Sequence, residues 1–176
     1  MKKDLRYICY TYMKEKSNKV DYEVLCDALA VTVGKVLPYL VKQEEQALKA
    51  DLLKIVEFVY HANGSVRGKL AITEEDLQWL SNKYDEYCAY VGDTIKQFTL
   101  PIGCQAALQL HEVRNDAKLV YRVLHHVSKE DDVKVEPILF KFIGLLSNVA
   151  CAMAFYANQL NGVEEIPFHT KSYILK

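Results

Sequence analysis

Apolar residues recur every three to four positions along most of this chain, and that spacing constrains the fold more than any other feature. The clearest case is segment 104–128, whose apolar stripe consists of Ala107, Leu110, Val113, Ala117, Val120 and Leu124. Apolar residues at this spacing line one side of an α-helix. The same spacing predicts helices over 21–37, 39–61, 73–91 and 133–160, preceded by a short helical face over 3–15. No segment competes as a strand, so the sequence predicts an all-α, five-helix up-and-down bundle.

Three residues mark where these helices begin or end. Thr73 is a good N-cap, and Asp76 stands at the third helical position after it, in an acidic variant of the capping box. Pro38 interrupts the helix that starts near Asp21, because proline has no backbone N–H to donate.

Composition limits the class of protein. The 176 residues fit a single domain over 1–176, with 1–19 as an N-terminal segment and 161–176 as a tail with little regular structure. Lysine and arginine (22) balance aspartate and glutamate (23), which argues against nucleic acid or a membrane surface as a partner. The five cysteines are scattered, and no signal-peptide core is seen, so we expect a cytoplasmic protein with reduced thiols.

One stretch combines several features that suggest a site. A short apolar loop, Phe98–Gly103, is broken by proline and glycine and leads into a helix that carries His111 and Arg114 one turn apart. The five histidines form no recognisable metal pattern, and the glycines form no phosphate loop, so we predict no metal ligands. From the residues alone, His111 is more simply a structural histidine, and the chain is an oligomeric helical bundle without an assigned activity.

The same stretch resembles a known family. Phe98-Thr99-Leu100-Pro101-Ile102-Gly103, followed by Leu110-His111-Glu112-Val113-Arg114, is similar to the Phe-x-Leu-Pro-Gly-Gly and Leu-His-x-Ala-Arg segments of the ATP:cob(I)alamin adenosyltransferases of the propanediol-utilisation type. Segments 20–29, 72–80 and 146–158 add weaker likeness, so the resemblance spans residues 20–160.

The resemblance implies a fold, a reaction and a set of residues. Members of that family are ferritin-like five-helix bundles that form homotrimers, with active sites between subunits that bind cobalamin and ATP with Mg²⁺. Their Co(I) attacks the 5′ carbon of ATP and expels triphosphate. The implied catalytic residues are Phe98, which displaces the lower axial ligand of cobalt, and the paired Asp27 and Arg114. The implied binding residues are Phe98, Leu100, Pro101, Gly103, His111, Lys118 and Arg122.

The chain departs from the family on the nucleotide side. Residues 1–19 lack the glycines of the family's triphosphate-wrapping segment. The family's Arg-Arg-x-Glu-Arg run is Lys118-Leu119-Val120-Tyr121-Arg122 here, and its Leu-Asn-Arg-Leu-Ser-Asp run is Ile143-Gly144-Leu145-Leu146-Ser147-Asn148. A triphosphate needs fixed donors and a metal, and lysine does not replace the bidentate arginine geometry.

Three functions follow from this pattern. The first is a cobalamin adenosyltransferase-like protein that retains corrinoid binding but has a degenerate ATP site. The second is an active ATP:cob(I)alamin adenosyltransferase whose modified nucleotide site uses Lys118, Arg122 and Arg114. The third is a non-catalytic trimeric scaffold that retains only the bundle.

Overall fold

The computed structural model describes residues 4–131 and 133–172. It contains five α-helices: α1 (Asn18–Val36), α2 (Gln46–Ser65), α3 (Glu74–Val91), α4 (Gln105–Glu130) and α5 (Pro137–Leu160). Within the described residues the only β-structure is one isolated bridge, between Thr99 and Pro167. The all-α, five-helix prediction is therefore confirmed.

The helices pack in a definite order. α1 lies between α2 and α4, and α5 lies between α4 and α3. Phe58 of α2 meets Trp79 of α3 edge to face, with ring centroids 5.5 Å apart, so α2 and α3 also touch. The largest fully buried side chains belong to all five helices and include Tyr22, Leu29, Leu52, Ile55, Leu80, Leu110, Leu124, Leu139 and Phe142.

α5 is the most apolar helix of the bundle. It is long and apolar enough to cross a membrane, yet 61% of its most apolar window is buried inside the bundle. Small residues on α5, including Ala150, Ala152 and Ala154, are fully buried and let neighbouring helices approach closely. Its composition is therefore that of a central core helix.

The predicted helix boundaries are partly correct. Thr73 caps α3 as predicted: its side chain accepts from the Asp76 amide, and Asp76 accepts in return from the Thr73 amide. α1 begins at Asn18 rather than near Asp21, because Ser17 already caps the Lys19 amide. α2 begins at Gln46 rather than at residue 39, because residues 37–45 form two short 3-10 turns.

The predicted helical face over 3–15 is wrong. The described part of that segment contains one 3-10 turn, Leu5–Tyr7, and further turns up to residue 14. Of the predicted stripe, Leu5, Tyr12 and Met13 are 77%, 42% and 47% exposed, so none of these three side chains is buried in the bundle. A helix this short depends on packing for its stability, and here packing is missing.

Candidate functional site

The loop Phe98–Gly103 and the first turns of α4 enclose a cavity of about 340 Å³, which we call the loop cavity. Its walls include Phe98, Leu100, Pro101, His111, Arg114, Cys151, Phe155 and Phe168. Five of the residues predicted from the sequence are therefore brought together here. Gly103, predicted as a binding residue, does not line this cavity.

The chain after α5 braces the loop. The Leu100 amide donates to the Ile166 carbonyl at 2.9 Å, and the Phe168 amide donates to the Phe98 carbonyl at 2.8 Å. The rings of Phe98 and Phe168 lie 5.5 Å apart. Phe98 is nevertheless 61% exposed, so the brace fixes its backbone and leaves its ring accessible. Sequence reasoning missed Phe168, although the apolar residues of Ile166-Pro167-Phe168 in a polar tail were a signal.

Asn158 of α5 holds the other end of the loop. Its side chain accepts from the Cys104 amide at 2.9 Å and donates to the Ile102 carbonyl at 3.1 Å and to Glu165 at 2.7 Å. Between these contacts Gly103 has a φ of 149°, and a Cβ there would overlap the Asn158 side chain. Gly103 is therefore required by loop geometry.

His111 is buried at the wall of the loop cavity. It is only 5% exposed, and neither ring nitrogen has a hydrogen-bond partner among the described residues. Burial, with a further contribution from Arg114, lowers the pKa of His111 to about 4. The imidazole is therefore neutral at physiological pH and retains one donor and one acceptor for a ligand.

A second cavity, of about 720 Å³, lies between α3, α4 and α5. We call it the lysine cavity, because Lys118 and Lys141 line it together with a single carboxylate, Glu74. Lys118 lies one turn beyond Arg114 on α4, and burial and then Arg114 lower its pKa. Arg122, one turn further along α4, is exposed and lines neither the lysine cavity nor the loop cavity.

Four of the positions at which the sequence differs from the family it resembles line the lysine cavity. Lys118, Tyr121, Gly144 and Asn148 all line it. Two of them are neighbours: a Cβ at Gly144 would lie 3.4 Å from the Tyr121 ring, in van der Waals contact with it. A side chain that extends beyond Cβ at position 144 would therefore press on the ring.

Asp27 lies away from both cavities. It is exposed on α1, accepts from the Tyr60 hydroxyl at 2.6 Å, and lines a third cavity of about 420 Å³ with Tyr10 and Met13 of the N-terminal segment. Asp27 and Arg114 therefore do not pair within one chain.

Arg67 fixes the N-terminal segment beside Asp27. It forms ion pairs with Glu15 at 2.7 Å and Glu23 at 2.8 Å, and its guanidinium stacks on the Tyr12 ring at 4.0 Å. Burial and then Glu23 raise the pKa of Tyr10 to about 12.

In the described residues no group of three or more His, Cys, Asp or Glu side chains could hold a metal ion.

Known proteins resemble this chain in sequence and in fold. Among solved structures, a variant PduO-type ATP:corrinoid adenosyltransferase from Lactobacillus reuteri complexed with cobalamin and ATP has a TM-score of 0.77 at 23% identity, over 92% of this chain and 97% of that one. Another variant from the same organism, complexed with ATP, has a TM-score of 0.72 at 25% identity, over 88% and 89% of the two chains. No curated protein matches the chain significantly in sequence. The sequence model of the family described as Cobalamin adenosyltransferase matches residues 11–157, and the chain therefore belongs to the cobalamin adenosyltransferase family.

Proposed function

We propose that this protein binds a corrinoid in the loop cavity, with Phe98 and Phe168 against the corrin face, and that its nucleotide side is degenerate. The observation that carries the proposal is the braced but exposed ring of Phe98. A large exposed aromatic ring on a rigid backbone is a ready apolar contact for a flat ligand. The structures of similar proteins complexed with cobalamin support this assignment.

The residues of this chain suggest how the cavity would act on a corrinoid. Phe98 and Phe168 offer only carbon surface, so they would keep water and other ligands away from that face of the cobalt. Arg114 borders the same cavity and has no side-chain ion pair among the described residues, so it is available to an anionic group. With a degenerate nucleotide side, cobalamin would be bound here as a ligand without adenosyl transfer.

The corrinoid proposal is tested by titrating the protein with cob(II)alamin and following the visible spectrum. Phe98→Ala is expected to weaken binding at least tenfold and to abolish the spectral change that accompanies loss of the lower ligand. Tyr39→Ala, at an exposed aromatic residue outside the loop cavity, is the control. Unchanged binding and spectra in Phe98→Ala would show that the loop is not the corrinoid site.

We propose in addition a homotrimer in which Asp27 of one copy pairs with Arg114 of the next. The two residues line different cavities of one chain, so such a pair needs a second copy. Val24 and Val31, 45% and 55% exposed, flank Asp27 on the same face of α1 and offer apolar contact area. Sedimentation should give a trimer for the native chain, a smaller species for Asp27→Arg, and recovery for Asp27→Arg with Arg114→Asp. A monomeric native chain would refute this proposal.

An active adenosyltransferase with a modified nucleotide site is the second candidate. Lys118 and Lys141 favour it, because both line the lysine cavity and neither has an ion pair among the described residues. Two lysines can neutralise part of a triphosphate, although Glu74 is the only carboxylate of the cavity available to a metal. Loss of Co(I) absorbance on mixing cob(I)alamin with Mg-ATP would establish it. Corrinoid binding without a loss of Co(I) absorbance would support a degenerate nucleotide site. Binding of neither the corrinoid nor ATP would favour the non-catalytic scaffold.

A cytoplasmic location is also part of the proposal. All five cysteines are free, which suits a reducing compartment.

A further inference from the structure

Two side chains near the loop cavity carry buried polar atoms without a partner among the described residues. They are His111, at both ring nitrogens, and Glu165, at Oε2. The other oxygen of Glu165 accepts from Asn158, so this carboxylate is fixed with one oxygen unused. Leaving a buried polar group unpaired costs about 1–3 kcal/mol, so both residues are suited to a ligand that supplies the missing bonds.

Glu165 lies next to the loop cavity. It lines a small cavity of about 290 Å³ that shares Gln97 and Phe155 with the loop cavity. Its charge also acts on Cys151, a residue of the loop-cavity wall. The His111 ring meets the Phe155 ring edge to face, with centroids 6.2 Å apart. The two unpaired groups therefore belong to two adjacent cavities that both have Phe155 in their walls.

The unpaired atoms have a definite hydrogen-bonding character. A carboxylate oxygen only accepts, and a neutral imidazole offers one acceptor and one donor. Because burial and Arg114 hold the imidazole neutral, His111 presents one acceptor and one donor, and Glu165 presents one further acceptor. A primary carboxamide has two N–H donors and one acceptor, so it can satisfy either group. A carboxylate has no donor and would be repelled by Glu165.

We propose that His111 and Glu165 are specificity residues that recognise primary carboxamides on the rim of the bound ligand and discriminate against free carboxylates at the same positions. The inference rests on the proposed corrinoid site and names the class of corrinoid that it accepts, one whose acetate and propionate side chains are amidated. Arg114 would attract a carboxylate, so the discrimination falls on Glu165, whose fixed charge opposes it.

Two corrinoids test the inference: cobinamide, whose ring side chains end in amides, and cobyrinic acid, whose ring side chains are carboxylic acids. The native protein is expected to bind cobinamide at least tenfold more tightly. Glu165→Gln should remove most of that preference by admitting the acid, since glutamine keeps an acceptor for Asn158 and has no charge. Glu75→Gln, at an exposed glutamate of α3 outside both the loop cavity and the small cavity, is the charge-matched control and should keep the preference.

His111→Phe should weaken cobinamide binding about tenfold and leave the affinity for cobyrinic acid nearly unchanged. A purely structural role of either residue would change both affinities together and leave their ratio constant. Equal affinity of the native protein for the two corrinoids, or a constant ratio in Glu165→Gln, would overturn the inference while the corrinoid site stands. Failure of both corrinoids to bind would overturn the proposed function as well.

Discussion

Replacing Asn158 of α5 by aspartate exchanges the side-chain NH2 group for a carboxylate oxygen and keeps the shape of the side chain. Asn158 is 1% exposed, and its amide nitrogen donates to the Ile102 carbonyl and to Glu165. Aspartate can still accept from the Cys104 amide, but it cannot donate to either oxygen. Asn158→Asp therefore removes two hydrogen bonds and places two carboxylates in contact.

The size of the effect follows from these contacts. The bond to the Ile102 carbonyl contributes about 0.5–1.5 kcal/mol, and the bond to the charged Glu165 contributes about 1.5–3 kcal/mol. Adding repulsion between the two carboxylates, we expect Asn158→Asp to lower the free energy of unfolding by about 3–5 kcal/mol at pH 7. Repulsion raises the pKa of the carboxyl pair in the folded state, so the folded state gains stability by binding a proton. The penalty is thus greatest at neutral pH and shrinks as the pH falls toward 4.

Urea denaturation at pH 7 and pH 5 measures this effect, with Asn82→Asp, at an exposed position of α3 outside both cavities, as the control for added charge. Amide hydrogen exchange shows which part of the chain is destabilised. The Leu100 and Phe168 amides, whose hydrogen bonds hold the loop, should exchange faster in Asn158→Asp than in the control. Equal stability of the two variants, or a penalty that grows on acidification, would refute the role of Asn158 as the hub of the loop.

Three further predictions concern other parts of the molecule. Burial lowers the pKa of His111 to about 4, against about 6.5 for an unperturbed histidine, so the unfolded chain binds more protons between these two pH values. The free energy of unfolding should therefore decrease by about 3 kcal/mol as the pH is lowered from about 7 to 4, and urea denaturation of His111→Phe should show a flatter pH profile. Arg67→Met should cost about 1–3 kcal/mol and speed proteolysis of the N-terminal segment, because a nearly buried glutamate loses its partner; unchanged cleavage would contradict this. A double-mutant cycle of Tyr121→Glu and Gly144→Asn should show favourable coupling of about 1 kcal/mol, since the glutamate vacates the space that the new asparagine needs; additive effects would show that the two positions are independent.

The parts of the fold that could be predicted depend on local sequence. Apolar spacing and the Thr73 cap act within one helix, so they predict α3, α4 and α5 to within a few residues. The described part of segment 3–15 has the same spacing, yet Leu5, Tyr12 and Met13 stay exposed, and only the folded chain reveals this. Periodicity is thus a reliable guide only where a partner surface exists.

The site was predictable only in part, for a similar reason. Residues of the loop and of α4 are close in sequence, and they do share one cavity. Phe168 reaches that cavity by a β-bridge from the far end of the chain, and nothing local in the sequence indicates the pairing. Asp27 and Arg114 match the family by residue type, yet residue type does not tell whether two side chains meet within one chain or between copies.

Arg114 links the loop cavity, where the residues match the family, with the lysine cavity, where they depart from it. His111, Arg114, Lys118 and Tyr121 follow one another at helical spacing on the same side of α4, from the loop cavity into the lysine cavity. Arg114 lowers the pKa of both His111 and Lys118, so its charge acts in both cavities. An anion bound beside Arg114 would offset that charge and raise both pKa values together. Tyr121 lies beside Gly144 in the wall of the lysine cavity, so these two departures from the family are neighbours in space. If the lysine cavity binds an anion beside Arg114, the charge of that anion would therefore also act on the histidine of the proposed corrinoid site.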